Sequence, residues 1–185
     1  MEKYDKKYLK MAEIWATNSY AVRSKVGALI VKDGMIISDG YNGTPHGFDN
    51  TCEYRAGCKF DTDDSWDFNY TKCAKTKTDE TGCLQRDLHY CSEFKECPNE
   101  ILITKPEVLH AEANAITKVA KSTNSSEGST LYVTLSPCLE CAKLIIQSGI
   151  KRVVYKDEYR IKDGIELLKK AGIEVEQIND LDEIC

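Results

Sequence analysis

Four side chains in this 185-residue sequence have the types and spacing to hold a metal beside a proton carrier: His110, Glu112, Cys138 and Cys141. Cys138 and Cys141 are three residues apart, which turns both thiols to one face of a helix and suits zinc. Pro137 fits a helix start, where its missing N–H would have had no partner anyway. The positive end of such a helix favours the thiolate form that binds metal. One imidazole from His110 and two thiolates leave the fourth corner of a tetrahedron for water; structural zinc sites close all four corners, catalytic ones leave one open. Two thiolates also cancel the charge of the metal. Zinc would lower the pKa of bound water from ~15.7 to about 7, with Glu112 placed to move protons. Residues two apart on a regular helix point roughly opposite ways. His110 and Glu112 therefore serve one centre only if the metal lies off the helix N-terminus, with His110 at a strand–helix junction. The competing reading is a structural zinc site with a solvated Glu112, which leaves the open corner unexplained.

The elements that must present these residues can be read from the apolar pattern. Tyr8, Met11, Ile14 and Trp15 recur at helical spacing between about Tyr4 and Tyr20. Val26 to Val31 and Met35 to Ser38 flank Asp33-Gly34 and predict a hairpin. Tyr41-Asn42-Gly43-Thr44-Pro45 then breaks regular structure. Further on, helices are predicted at about His110 to Lys121, Cys138 to Ser148 (closed by Gly149) and Asp163 to Ala171 (stopped by Gly172). Strands are predicted at Thr130 to Leu135, Arg152 to Tyr155 and Ile173 to Glu176. This order predicts a mixed α/β sandwich whose later strands are parallel.

Charge and sulfur single out one stretch. The chain carries 25 Lys and Arg against 30 Asp and Glu, a net charge of −5. Gly43 to Glu107 alone holds 8 basic and 13 acidic residues and six of the nine cysteines. A sixty-residue structureless loop is unusual inside a compact domain, so residues 48–105 are expected to be a Cys-rich insert within a single 1–185 domain. The acidic balance argues against nucleic acid as a partner. No apolar run approaches the ~20 residues that span a bilayer, and the charged N-terminus lacks an apolar signal core. A cytoplasmic protein with no membrane partner is expected.

His110-x-Glu112 followed by Pro137-Cys138-x-x-Cys141 resembles the signature of the zinc-dependent nucleobase deaminases. Within that superfamily, residues 24–31 (SKVGALIV), 40–45 (GYNGTP) and 132–138 (YVTLSPC) are similar to the deoxycytidylate (dCMP) deaminases. The likeness runs from about Tyr8 to Ile178, most of 48–105 excepted. It implies a three-layer α/β/α cytidine-deaminase-like fold with a mixed five-stranded sheet, and assembly into hexamers. It also implies hydrolysis of dCMP to dUMP and ammonia, which supplies dUMP for dTMP synthesis. Activation by dCTP and inhibition by dTTP are implied as well, with magnesium accompanying the regulatory nucleotide.

The same likeness gives further residues two readings each. Asn42 stands where the family holds an asparagine against the sugar, or is a turn residue before glycine. Arg23, Ser24 and Lys25 bind a 5′-phosphate, or are a solvated cluster. Tyr155 stacks on the base or completes the core. Gly40, Tyr41, Asn42 and Gly43 receive the regulatory triphosphate, or simply turn the chain. Ala111 and Ser136, beside the candidate ligands, are expected near substrate. Related deaminases carry a second, structural zinc in the insert, which would order a polar segment; the irregular cysteine spacing does not choose four ligands, and Cys52 and Cys91 are the leading members. Alternatives are a deaminase of dCTP or C5-modified dCMP, a tRNA adenosine or free-cytosine deaminase, and a non-catalytic zinc-binding regulator. A tRNA enzyme should be basic, and intact Glu112 speaks against the regulator.

Overall fold

The computed structural model describes residues 3–56 and 101–181. Two compact units separate, one ending at Cys52 and resuming at Pro106, the other running from Glu53 to Lys105. In the second unit β3 (Glu53–Ala56) pairs antiparallel with β4 (Ile101–Thr104), Glu53 opposite Thr104. Residues 57–100, with Cys91 among them, lie outside the described residues.

The first unit contains α1 (Asp5–Ala16), β1 (Gly27–Lys32), β2 (Met35–Tyr41), α2 (Ala111–Val119), β5 (Thr130–Leu135), α3 (Leu139–Gln147), β6 (Arg152–Asp157), α4 (Asp163–Lys170) and β7 (Glu174–Gln177). Its five strands form one sheet in the order β2-β1-β5-β6-β7. The β1–β2 and β1–β5 pairs are antiparallel, and β5–β6 and β6–β7 are parallel, as the alternating strand–helix pattern after residue 110 requires. Asp33 and Gly34 have φ of 51° and 76°, the left-handed pair that a two-residue hairpin needs.

Strand side chains alternate between two cores. On one face Ala28, Ile30, Leu131, Val133, Val153 and Tyr155 pack with α2, α3 and α4 through residues such as Ala111, Ala115, Ala142, Ile145 and Leu168. On the other, Leu29, Val31, Tyr132 and Val154 pack with Leu9 and Ala12 of α1 and with Ile178 and Leu181. Helices on both faces give the three-layer α/β/α arrangement with its mixed five-stranded sheet. No helix among the described residues is long and apolar enough to cross a membrane.

The first helix corrects the sequence reading. Its buried residues are Asp5, Leu9, Ala12 and Ala16, whereas Met11, Ile14 and Trp15 are 44%, 62% and 38% exposed. Small Ala12 and Ala16 let the helix approach β1 closely. The buried Asp5 carboxylate accepts two hydrogen bonds from Arg152, at 2.9 and 2.8 Å, and one from the Tyr132 hydroxyl at 2.7 Å. A carboxylate on the inward face hides that face from any apolar count. Trp15 instead donates its indole N–H to Asp39 at 2.8 Å.

Candidate active site

The candidate ligands sit where strand gives way to helix. His110 is the N-cap of α2, extended at φ −72°, ψ 157°, and Cys138 is the N-cap of α3, at φ −73°, ψ 172°. Neither lies inside its helix. That is the junction geometry His110 and Glu112 need to face one centre, with Glu112 the second residue of α2 and Cys141 the third of α3. Pro137 falls one residue before the cap rather than in the first turn, because Cys138 takes the cap position.

His110 Nδ1 lies 3.4 Å from the Sγ of Cys138 and 3.4 Å from that of Cys141. All three donor atoms are within 4.8 Å of one another, the one such group of three among the described residues. Two soft thiolates and an imidazole are a zinc donor set, and tetrahedral bonds of about 2.3 and 2.0 Å would separate N and S donors by roughly 3.5 Å. The residues fit that metal. A hydrogen bond from the Cys141 thiol, joined by His110, holds Cys138 down to about 3, while the same bond and burial push Cys141 up. The Cys138 thiolate in turn raises His110. Zinc is bound by thiolates, so loading the site would release thiol protons and its affinity would rise with pH.

Glu112 is 4% exposed. Burial pushes its carboxyl up to about 7, against a hydrogen bond from its own backbone amide and the attraction of His110.

Around this group the backbone is packed to contact. A Cβ on Gly40 would strike the carbonyl oxygen of Ala111 and stand 2.6 Å from the Ala115 nitrogen. One on Gly164, in the first turn of α4, would strike the Pro137 carbonyl oxygen and stand 2.8 Å from the carbonyl carbon of Cys138. Ser38 donates its hydroxyl to the Ala115 carbonyl at 2.7 Å. Gly43 and Leu109 exchange two backbone hydrogen bonds, at 3.1 and 2.9 Å, immediately before His110.

The other sequence candidates fall at several places. Ala111 is fully buried in the first turn of α2. Buried Ser136 accepts the Tyr159 N–H on its Oγ at 2.8 Å and donates its own N–H to Asp157. Asn42 turns its amide toward the preceding loop, donating to the Ser24 carbonyl and accepting the Val26 N–H, both at 2.8 Å. Arg23, Ser24 and Lys25 are exposed on that loop. Tyr155 is buried in the helix-side core with its hydroxyl 3.5 Å from Gln177 Oε1, and burial raises it. Cys52 is buried, its Sγ 3.7 Å from the Asn50 carbonyl.

Two residues escaped the sequence reading. Asn114, one helical turn after His110, donates its side-chain amide to the Tyr41 carbonyl at 2.9 Å. The i,i+4 spacing from His110 was the available sign. For Gly164 the sign was a glycine in the first turn of a predicted helix, costly unless something approaches closely.

Residues 2–157 match the family model of the cytidine and deoxycytidylate deaminase zinc-binding region. The chain belongs to the cytidine and deoxycytidylate deaminases. Among members of that family, the deoxycytidylate deaminase of Enterobacteria phage T4 is 40% identical over 172 residues, covering 90% of this chain and 86% of that protein. The ComE operon protein 2 of Bacillus subtilis is 32% identical over 178 residues, 96% of this chain and 71% of that one. In structure, the dCMP deaminase of cyanophage S-TIM5, solved with dCMP and dUMP, superposes with a TM-score of 0.68 at 38% identity, covering 96% of this chain and 99% of that one. The matched stretch spans the sheet strands β1, β2, β5 and β6 and contains His110, Glu112, Cys138 and Cys141.

Proposed function

We propose that this deaminase hydrolyses dCMP, taking up water and releasing dUMP and ammonia. The observation that carries the reading is the convergence of His110, Cys138 and Cys141 at two helix N-termini with Glu112 buried beside them. Likeness to relatives that bear the deoxycytidylate deaminase name supports the substrate. In the proposal the histidine and the two thiolates hold zinc, which when bound supplies a Lewis acid that makes water acidic near neutral pH. Glu112 accepts the proton of the water that adds to C4 of the cytosine ring. It delivers that proton to N3, then takes the proton of the new C4 hydroxyl and passes it to the amine, which leaves as ammonia while the C4=O bond forms and the C4–N bond breaks. Burial keeps bulk water from competing for the carboxyl. Arg23, Ser24 and Lys25 hold the 5′-phosphate, with Asn42 beside the sugar and Ala111 and Ser136 lining the base.

Regulation belongs to the same reading. dCTP, with magnesium, activates and dTTP inhibits at Gly40, Tyr41, Asn42 and Gly43; its support is the attachment of that segment to Leu109 and Asn114, on either side of His110 and Glu112. Hexamer assembly, a second zinc with Cys52 and Cys91 among its ligands, and a cytoplasmic supply of dUMP for dTMP synthesis complete it. Chromatography of products from zinc-replete protein given dCMP, dCTP or deoxycytidine tests the substrate: dUMP should form fastest, and faster conversion of dCTP would overturn the assignment. Substrate curves with and without 100 μM-scale dCTP or dTTP and magnesium test the regulation, which identical curves would refute.

A further inference from the structure

Three segments that are remote in sequence are tied in a row by two asparagine side chains. On α2, Asn114 donates its backbone N–H to the His110 carbonyl at 2.9 Å and its side-chain amide to the Tyr41 carbonyl at 2.9 Å. The next residue along the loop, Asn42, donates its side-chain amide to the Ser24 carbonyl and accepts the Val26 N–H. Its own N–H donates to the Val26 carbonyl at 3.1 Å, and its carbonyl accepts the Ser19 hydroxyl at 2.7 Å. The helix that carries Glu112 is thus linked through Asn114, Tyr41 and Asn42 to the Arg23–Lys25 loop. The Asn114 and Asn42 side-chain amides bond backbone groups, and a backbone bond from Asn42 to Val26 stands beside them, so the row fixes backbone position rather than the reach of a flexible side chain.

A nucleotide bound at both ends holds the base carbon under attack and its 5′-phosphate at one separation. A site that holds both ends gains from the phosphate only if its two halves keep the matching separation. Resting on the reading above, in which Arg23–Lys25 take the phosphate and Glu112 serves the base, we propose that Asn114 is a positioning residue that sets this separation. It thereby makes the site prefer the 5′-monophosphate to the free nucleoside. The Gly43–Leu109 backbone bridge holds the same segment to the start of α2 without Asn114. Removal of the amide should therefore loosen the register while the fold and the donor group stay in place.

The test uses the zinc-replete full chain. Asn114→Ala should raise KM for dCMP and weaken dUMP binding by calorimetry on the order of tenfold, the worth of one well-made hydrogen bond to a charged group. dUMP affinity should fall toward that of deoxyuridine, which itself should not change, and kcat, zinc content and Tm should hold. Asn114→Asp keeps the size of the side chain and sets a carboxylate against the Tyr41 carbonyl, so the same pattern is expected. Unchanged dUMP affinity in both variants would overturn the inference, as would an equal loss for dUMP and deoxyuridine or a fall in Tm without a change in affinity. Arg23→Ala and Lys25→Ala separate the two failures. If they weaken dUMP binding and the Asn114 variants do not, the positioning role is wrong and the phosphate site stands; if they do not, the phosphate reading fails and the inference fails with it.

Discussion

Gly164 and Cys138 meet with no room for a side chain between them: a Cβ at 164 would lie 2.8 Å from both the carbonyl carbon and the carbonyl oxygen of Cys138. That oxygen accepts the Ala142 N–H at 2.9 Å, so the close approach bears on the first turn of α3 and on the placement of a candidate ligand. Gly164→Ala must therefore push α3 or α4 aside. Zinc affinity measured by chelator competition should fall about 10–100-fold, the usual effect of disturbing a ligand's support. Gly43→Ala is the control, since its added Cβ would meet only Tyr41 ring atoms at 3.7 and 3.9 Å. Equal zinc affinity in the two variants would refute the role.

Glu112 contributes no donor atom to the group of three, yet it is buried beside it. Glu112→Ala should keep zinc at the wild-type stoichiometry and lower ammonia release from dCMP about 10²–10⁴-fold, the range for a proton carrier. Zinc loss in this variant, or retained turnover, would reassign the residue.

Arg152 is 3% exposed and joins Asp5 to β7 through a 2.6 Å bond to Glu176 and a 3.4 Å ion pair with Glu174. Asp5 and its partners hold Arg152 firmly protonated. Arg152→Met would leave the buried Asp5 carboxylate without its guanidinium and should cost about 3–5 kcal/mol in urea unfolding. Combining it with Asp5→Leu should recover much of that loss, because a buried pair is worth far less than the penalty of stranding one member. Additive losses would contradict this account.

Acid stability follows from two other carboxylates. Burial raises Glu13, but hydrogen bonds from Lys156 and Lys10 outweigh it and hold the group below its usual range. Burial likewise raises Glu176, and Arg152 outweighs it. A carboxyl depressed in the folded state binds fewer protons there than in the unfolded chain. Its stabilisation is therefore complete above the unfolded value of about 4.3, and fades as pH falls through the lower folded value. Unfolding free energy should drop below that pH, and Glu13→Gln should make the drop shallower. An unchanged slope would remove Glu13 from the account.

How much the sequence disclosed depended on whether one local pattern decided the outcome. β5 spans Thr130–Leu135, as its apolar run predicts, and the Asp33-Gly34 turn has the expected left-handed pair. The His110/Cys138/Cys141 group was legible because metal ligands must converge, and helix N-terminal spacing says how. On α1 the apolar residues misled: an ion pair with Arg152, 147 residues away, and a close approach of alanines decide its buried face. No local window contains that partner. The amides of Asn42 and Asn114 were hidden for the same reason, since their acceptors are backbone groups of other segments that only the fold brings near.

The central claim is that a zinc ion on His110, Cys138 and Cys141, with Glu112, deaminates dCMP. Ammonia and dUMP formation should be measured on one preparation as isolated, after chelator stripping, and after zinc is restored, with Cys141→Ser alongside. The account predicts one ammonia per dUMP, loss of turnover on stripping, recovery with zinc in the wild type and no recovery in Cys141→Ser. Turnover that survives removal of the zinc, or zinc-loaded protein that leaves dCMP intact, would contradict it.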